Sequence, residues 1–101
     1  MSKYELMYIV RPELDEEKLN STREKVQGIL SQNNGEAIEQ EHFGKRRLAY
    51  LLDDYREGIY TVVTFHGDTD TVNELDRQLK LNDDVIRHMV INIDDKPEKQ
   101  K

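Results

Sequence analysis

Hydrophobic periodicity alternates along this chain between repeats of two and of about 3.6 residues, and the order of those repeats constrains the fold more than any other feature. From Tyr4 to Val10 the repeat is two, with Tyr4, Leu6, Tyr8 and Val10 to one side and Glu5, Met7 and Ile9 to the other. That is a strand whose second face is itself partly apolar, and Arg11-Pro12 ends it. Asp15 then fits a helix N-cap, with Glu16 and Glu17 in the first turn where the helix dipole favours negative charge. Leu19, Thr22, Val26, Ile29 and Leu30 follow at helical spacing, and Asn34-Gly35 supplies the stop, Gly35 being expected in the left-handed conformation.

The next stretch, Glu36 to Leu52, is extended throughout and longer than an ordinary strand, so Gly44 is expected to bend or divide it. A polar loop, Asp53 to Gly58, returns the chain into the apolar strand Ile59–Phe65. Thr71-Val72-Asn73-Glu74 reads as a capping box for a second helix with Val72, Leu75 and Leu79 on its buried stripe. Val85 to Ile93 is the last strand; Val85, Arg87, Met89 and Ile91 alternate with Ile86, His88 and Val90, and neither set is cleanly polar.

The order β-α-β-β-α-β has two crossovers around a central hairpin. Its natural solution is a ferredoxin-like α+β sandwich, a four-stranded antiparallel sheet with both helices on one face. One domain spans 1–93, and 94–101, which has nothing worth burying, reads as a short disordered tail. In that fold the second and fourth strands are edges. The sheet face away from the helices stays open, presenting Met7 and Ile9 with some of Tyr60, Val62, Met89 and Ile91.

Charge adds a local anomaly. The chain carries 21 Asp and Glu against 15 Lys and Arg, a formal charge of -6, yet Lys45-Arg46-Arg47 is an uninterrupted basic block. Lysine or arginine on an edge strand discourages aggregation, which accounts for one or two of these charges. Three in a row, pointing to both faces, fit a segment that contacts a polyanion. Lys3, Arg87 and His88, taken to lie near the starts of adjacent strands, are secondary candidates.

Other chemistries lack their residues. There are no cysteines, hence no disulfides or thiolate metal sites. His42, His66 and His88 fall on different strands without ligand spacing, and the five glycines are too dispersed to cradle a phosphate. No catalytic constellation, metal site or cofactor site is therefore expected. Acyl-phosphate hydrolysis would need an anion-cradling turn where the chain has Arg11-Pro12-Glu13. No apolar stretch could span a bilayer, and the N-terminus has no leader-like pattern, so a soluble intracellular protein is expected. An RNA-recognition motif shares this strand order, but Glu57-Gly58-Ile59-Tyr60-Thr61-Val62 puts Ile59 and Thr61 where its stacking aromatics belong. Recognition through backbone charge and shape stays open.

Three segments together resemble a known family, the bacterial small-subunit ribosomal protein six. They are Tyr4-Glu5-Leu6-Met7-Tyr8-Ile9-Val10-Arg11-Pro12, the box Gly44-Lys45-Arg46-Arg47-Leu48-Ala49-Tyr50, and Leu79-Lys80-Leu81-Asn82-Asp83-Asp84-Val85-Ile86-Arg87-His88-Met89-Val90. The resemblance runs from about Lys3 to Ile93. It implies the ferredoxin-like fold, no enzymatic activity, a cytoplasmic ribosomal location, and binding of 16S ribosomal RNA in the platform of the small subunit. It also implies ribosomal protein eighteen as a heterodimer partner, with no membrane or small-molecule substrate. A basic companion would make sense of the acidic balance here. Lys45, Arg46, Arg47, Lys3, Arg87 and His88 are then the expected RNA contacts, and Tyr50, Met7, Ile9 and Met89 the expected partner contacts. The acidic hairpin loop, Asp53 to Glu57, is poorly suited to RNA. A different function class, a ferredoxin-like small-molecule-sensing or dimerisation module using the open face, is the alternative.

Overall fold

Six elements follow in the expected order: β1 (Ser2–Val10), α1 (Glu16–Gln32), β2 (Glu36–Leu52), β3 (Tyr55–Gly67), α2 (Thr69–Lys80) and β4 (Val85–Asn92). This computed structural model describes residues 1–52 and 55–94, without the side chains of 49–52. Asp53 and Asp54 of the expected loop, and 95–101 of the expected tail, lie outside the described residues. The strands form one antiparallel sheet in the order β2-β3-β1-β4, a ferredoxin-like arrangement with β2 and β4 at the edges.

The core lies between the helices and one sheet face. Leu6, Tyr8 and Val10 of β1 meet Ile59, Val63 and Phe65 of β3, with Val26, Ile29 and Leu30 from α1 and Leu75 and Leu79 from α2 above them. Tyr4 stacks on Phe65 with ring centroids 5.5 Å apart. The ambiguous last strand is resolved by register. Leu6 opposes Val90 and Tyr8 opposes His88 on the helix side, so Arg87, Met89 and Ile91 face the open side.

Both helix starts are capped by aspartate. Asp15 accepts the Lys18 N–H at 2.8 Å, as expected. The second cap is not at Thr71 but three residues earlier. The Asp68 carboxylate accepts the Thr71 N–H at 2.9 Å, and the Thr71 hydroxyl accepts the Asp68 N–H at 3.1 Å. The Thr71 N–H, with the Thr71 hydroxyl 3.0 Å from the same carboxylate oxygen, holds the Asp68 carboxyl below its ordinary range. Thr71 is fully buried and also donates to the Asn33 carbonyl at 2.6 Å, tying the end of α1 to the start of α2. The stop of α1 differs from expectation too. Asn34 takes the left-handed conformation, with φ of 62°, whereas Gly35 is needed for close approach. A Cβ on Gly35 would meet Thr71 Cγ2 at 2.9 Å and the Leu30 carbonyl at 3.0 Å.

The expected bulge at Gly44 is present, but it does not divide β2. The strand stays continuous over 17 residues and absorbs its length in register shifts between Ala37 and Glu39, His42 and Gly44, and Arg47 and Leu52. Gly44 sits at the second shift with φ of 74°, where a side chain would be strained.

Candidate nucleic-acid interface

The last residue of β1, Val10, pairs with Ile59, so the part of the hairpin before Ile59 has no third strand beside it. Arg46–Leu52 of β2 and Tyr55–Gly58 of β3 form a two-stranded arm projecting past the sheet. An isolated ribbon of this length is marginal in water, so its base has to be braced. The Arg11 Nε donates to the Asp84 carboxylate at 3.1 Å, and the Arg11 N–H donates to the Asp84 carbonyl at 3.0 Å. Asp84, aided by the phenol of Tyr55 on the arm, holds the Arg11 guanidinium above its ordinary pKa. Gly58 completes the brace. A Cβ there would lie 2.3 Å from Ile9 Cγ2, so the absent side chain lets the arm close down on Ile9.

The basic block lies at the base of this arm and all three side chains are exposed. Lys45 opposes Ile59 and Arg47 opposes Glu57, which directs both to the helix side of the ribbon. Arg46 opposes Gly58 and points to the open side. A polyanion lying across the arm would therefore meet positive charge on either face. Arg56, also exposed, adds a fourth cation to the ribbon.

On the open face the register arranges charge along the strands. Glu36, Glu39 and Glu41 of β2 oppose His66, Thr64 and Val62 of β3 and line the β2 edge of that face. Across the sheet the row of Glu41 continues through Val62, Met7 and Met89, and the row of Glu39 through Thr64, Glu5 and Ile91. At the arm end stand Tyr60, Arg87 and Arg46. Along β2 the open face thus turns from acidic at Glu36–Glu41 to basic at Arg46, with the apolar Val62, Met7 and Met89 beside the glutamates.

The sequence-expected residues separate accordingly. Met7 and Met89 share the apolar row, Met89 being 44% exposed. Ile9, expected on the open surface, is only 2% exposed because Gly58 allows the arm to cover it. The side chain of Tyr50 is outside the described residues. Arg87 lies at the arm end, opposite Ile9, whereas Lys3 lies opposite His66, about 20 Å away along β1. Antiparallel strands start at opposite ends, so the two do not form one patch. His88 points under α2, where its Nε2 lies 2.6 Å from the Asp76 carboxylate and its side chain is 10% exposed. His88, with Lys80, holds the Asp76 carboxyl below its ordinary range. The imidazole is thus committed to the fold rather than turned to a polyanion.

Two features escaped the sequence reading. Glu36, Glu39 and Glu41 read from sequence as a solubilising acid cluster, and that all three share the open face was hidden because the register shift after Ala37 breaks simple alternation between Glu36 and Glu39. Arg56 was overlooked within a loop that looked acidic as a whole. Among the described residues no group of three or more His, Cys, Asp or Glu is placed to hold a metal ion, and no helix is long and apolar enough to cross a membrane.

Comparison with known proteins bears on the family and the fold. A sequence model of the family described as ribosomal protein S6 matches residues 3–92. Among solved structures, the chain is similar to the crystal structure of 30S ribosomal protein S6 from Thermotoga maritima, with a TM-score of 0.86 and 29% sequence identity. That match covers 90% of this chain and 86% of the other.

Proposed function

The chain belongs to the ribosomal protein S6 family, cytoplasmic structural components of the small ribosomal subunit and not enzymes, and from that premise we propose how it divides its surface between two partners. The basic arm, through Lys45, Arg46 and Arg47 with Arg87 nearby, contacts the phosphate backbone of 16S ribosomal RNA in the platform. The acidic and apolar remainder of the open face, including Met7 and Met89, docks a basic companion, ribosomal protein eighteen. Lys3 and His88 drop out of the RNA set, and Ile9 out of the partner set.

The observation that carries this reading is the change of charge along β2, acidic from Glu36 to Glu41 and basic from Lys45 to Arg47, beside the apolar Val62, Met7 and Met89. A chain of net charge -6 is repelled by RNA at long range. Covering Glu36, Glu39 and Glu41 with a cationic partner removes that repulsion and leaves the arm as the exposed charged feature at the junction. Direct base readout is not required, since phosphate contacts position a protein on RNA without specifying sequence.

The reading predicts that a platform RNA fragment binds this chain together with its basic partner roughly a hundredfold more tightly than this chain alone, the order that a second linked contact surface supplies. Titration of the fragment at fixed salt, with and without the partner, measures this. Equal affinity in the two titrations would contradict the division of labour.

A further inference from the structure

One transverse row on the helix side of the sheet is polar from edge to edge. Register aligns His42 of β2, Thr61 of β3, Tyr8 of β1 and His88 of β4. At the β4 end Asp76 completes the row through His88. At the β2 end nothing comparable does. The Nε of Arg23 on α1 is buried without a hydrogen-bond partner among the described residues, and the buried Tyr8 and Thr61 hydroxyls face only each other. A buried guanidinium N–H is rarely left so in native proteins, and it marks a place where a ligand atom would complete the row.

We propose that Arg23 and His42 bind one phosphate group of the RNA backbone on the helix-side flank of β2, above a floor formed by Tyr8 and Thr61 and in line with Lys45 and Arg47. Arg23 spans the boundary of the fold. Its Nε is buried, while its Nη1 donates to Asn20 Oδ1 at 3.3 Å on the exposed surface of α1. A guanidinium held at Nη1 by Asn20 and with its Nε unsatisfied keeps N–H donors free for a phosphate oxygen pair. His42 is exposed and is the next helix-side position of β2 before Lys45.

The electrostatics have the matching sign. Burial and the Arg23 charge hold the His42 imidazole below its ordinary pKa, and the same charge bears on the buried Tyr8 phenol. The acidic residues of β2, Glu39 and Glu41, are on the opposite sheet face by register. Alternate side chains along a strand repeat at about 6–7 Å, comparable to neighbouring phosphates along one RNA strand. His42, Lys45 and Arg47 can thus follow one backbone.

This inference rests on the RNA reading of the arm, and the experiment separates the two. The full chain is titrated with inorganic phosphate while the Arg23 side-chain and His42 ring resonances are followed by NMR. Wild-type resonances should shift saturably and those of Arg23→Gln should not. With the basic partner present, Arg23→Gln should weaken platform RNA binding about tenfold and lower the salt slope by roughly 0.7–0.9. The exposed substitution His42→Gln, which spares the buried floor, should weaken it in the same direction. No phosphate response and an unchanged RNA slope would overturn the site. A phosphate response with an unchanged slope would make the ligand free phosphate and overturn its RNA source. If neutralising Lys45, Arg46 and Arg47 lowers the slope while Arg23→Gln does not, this inference fails and the arm reading stands. The reverse pattern would sink the arm reading alone.

Discussion

Replacing Lys45, Arg46 and Arg47 together by alanine is expected to weaken binding of a platform RNA fragment, with the basic partner present, by about 10²–10³-fold. The salt dependence should change with it. Each lost phosphate contact removes roughly 0.7–0.9 from the slope of log affinity against log salt, so three remove about 2–2.7. The fold should not suffer. All three side chains are exposed, and substitutions at such positions usually move stability by no more than about 0.5 kcal/mol. A folded triple variant with normal affinity and an unchanged slope would reduce the block to a solvated edge that guards β2 against aggregation. The ratio of loss between Arg46 and the pair Lys45 and Arg47 also carries information, because they point to opposite faces of the ribbon.

Leu75→Ala should have the largest effect on stability among the substitutions considered, about 2–5 kcal/mol. Leu75 has no exposed surface and anchors α2 in the single core cluster. The loss combines the transfer of the missing methyl and methylene groups with the cavity they leave, which α2 cannot close without releasing its cap at Asp68. Small domains have total stabilities of about 5–15 kcal/mol, so the variant should melt about 10–30 °C lower. Met89→Ala is the instructive comparison. It removes a residue of similar size from the open face, where 44% of it is exposed, and should change stability by less than about 0.5 kcal/mol while weakening partner binding. Thermal melts of both, read beside partner titrations, test the division between core and docking face. Equal destabilisation by the two would contradict it.

Much of this was legible in the residues, for identifiable physical reasons. Period-two and period-3.6 patterns are local, and they gave the element order, the N-cap at Asp15 and the buried stripes of both helices. What escaped depends on contacts distant in sequence. Ile9 looked available because β1 alternates, yet its burial is decided by Gly58, a residue 49 positions away without a side chain. His88 looked like a free cation until α2 brought Asp76 to within 2.6 Å. Thr71 fitted the wrong capping position because Asp68 competes for the same role with a carboxylate. The acidic stripe of β2 was obscured by a register shift, which reverses the side-chain direction that alternation predicts. The basic block was visible at once, since charge needs no tertiary contact to be read. Its place at the base of an arm was not, because that depends on where β1 ends relative to β3.

The central claim is that the arm lies on ribosomal RNA. Because the chain has no cysteine, one can be introduced at will. Glu57→Cys on the arm and Asn73→Cys on the exposed face of α2 each carry a tethered hydroxyl-radical source into reconstituted small subunits. The account predicts strand cleavage of platform 16S RNA from position 57 and little or none from position 73. Cleavage from position 73 with none from position 57 would contradict it.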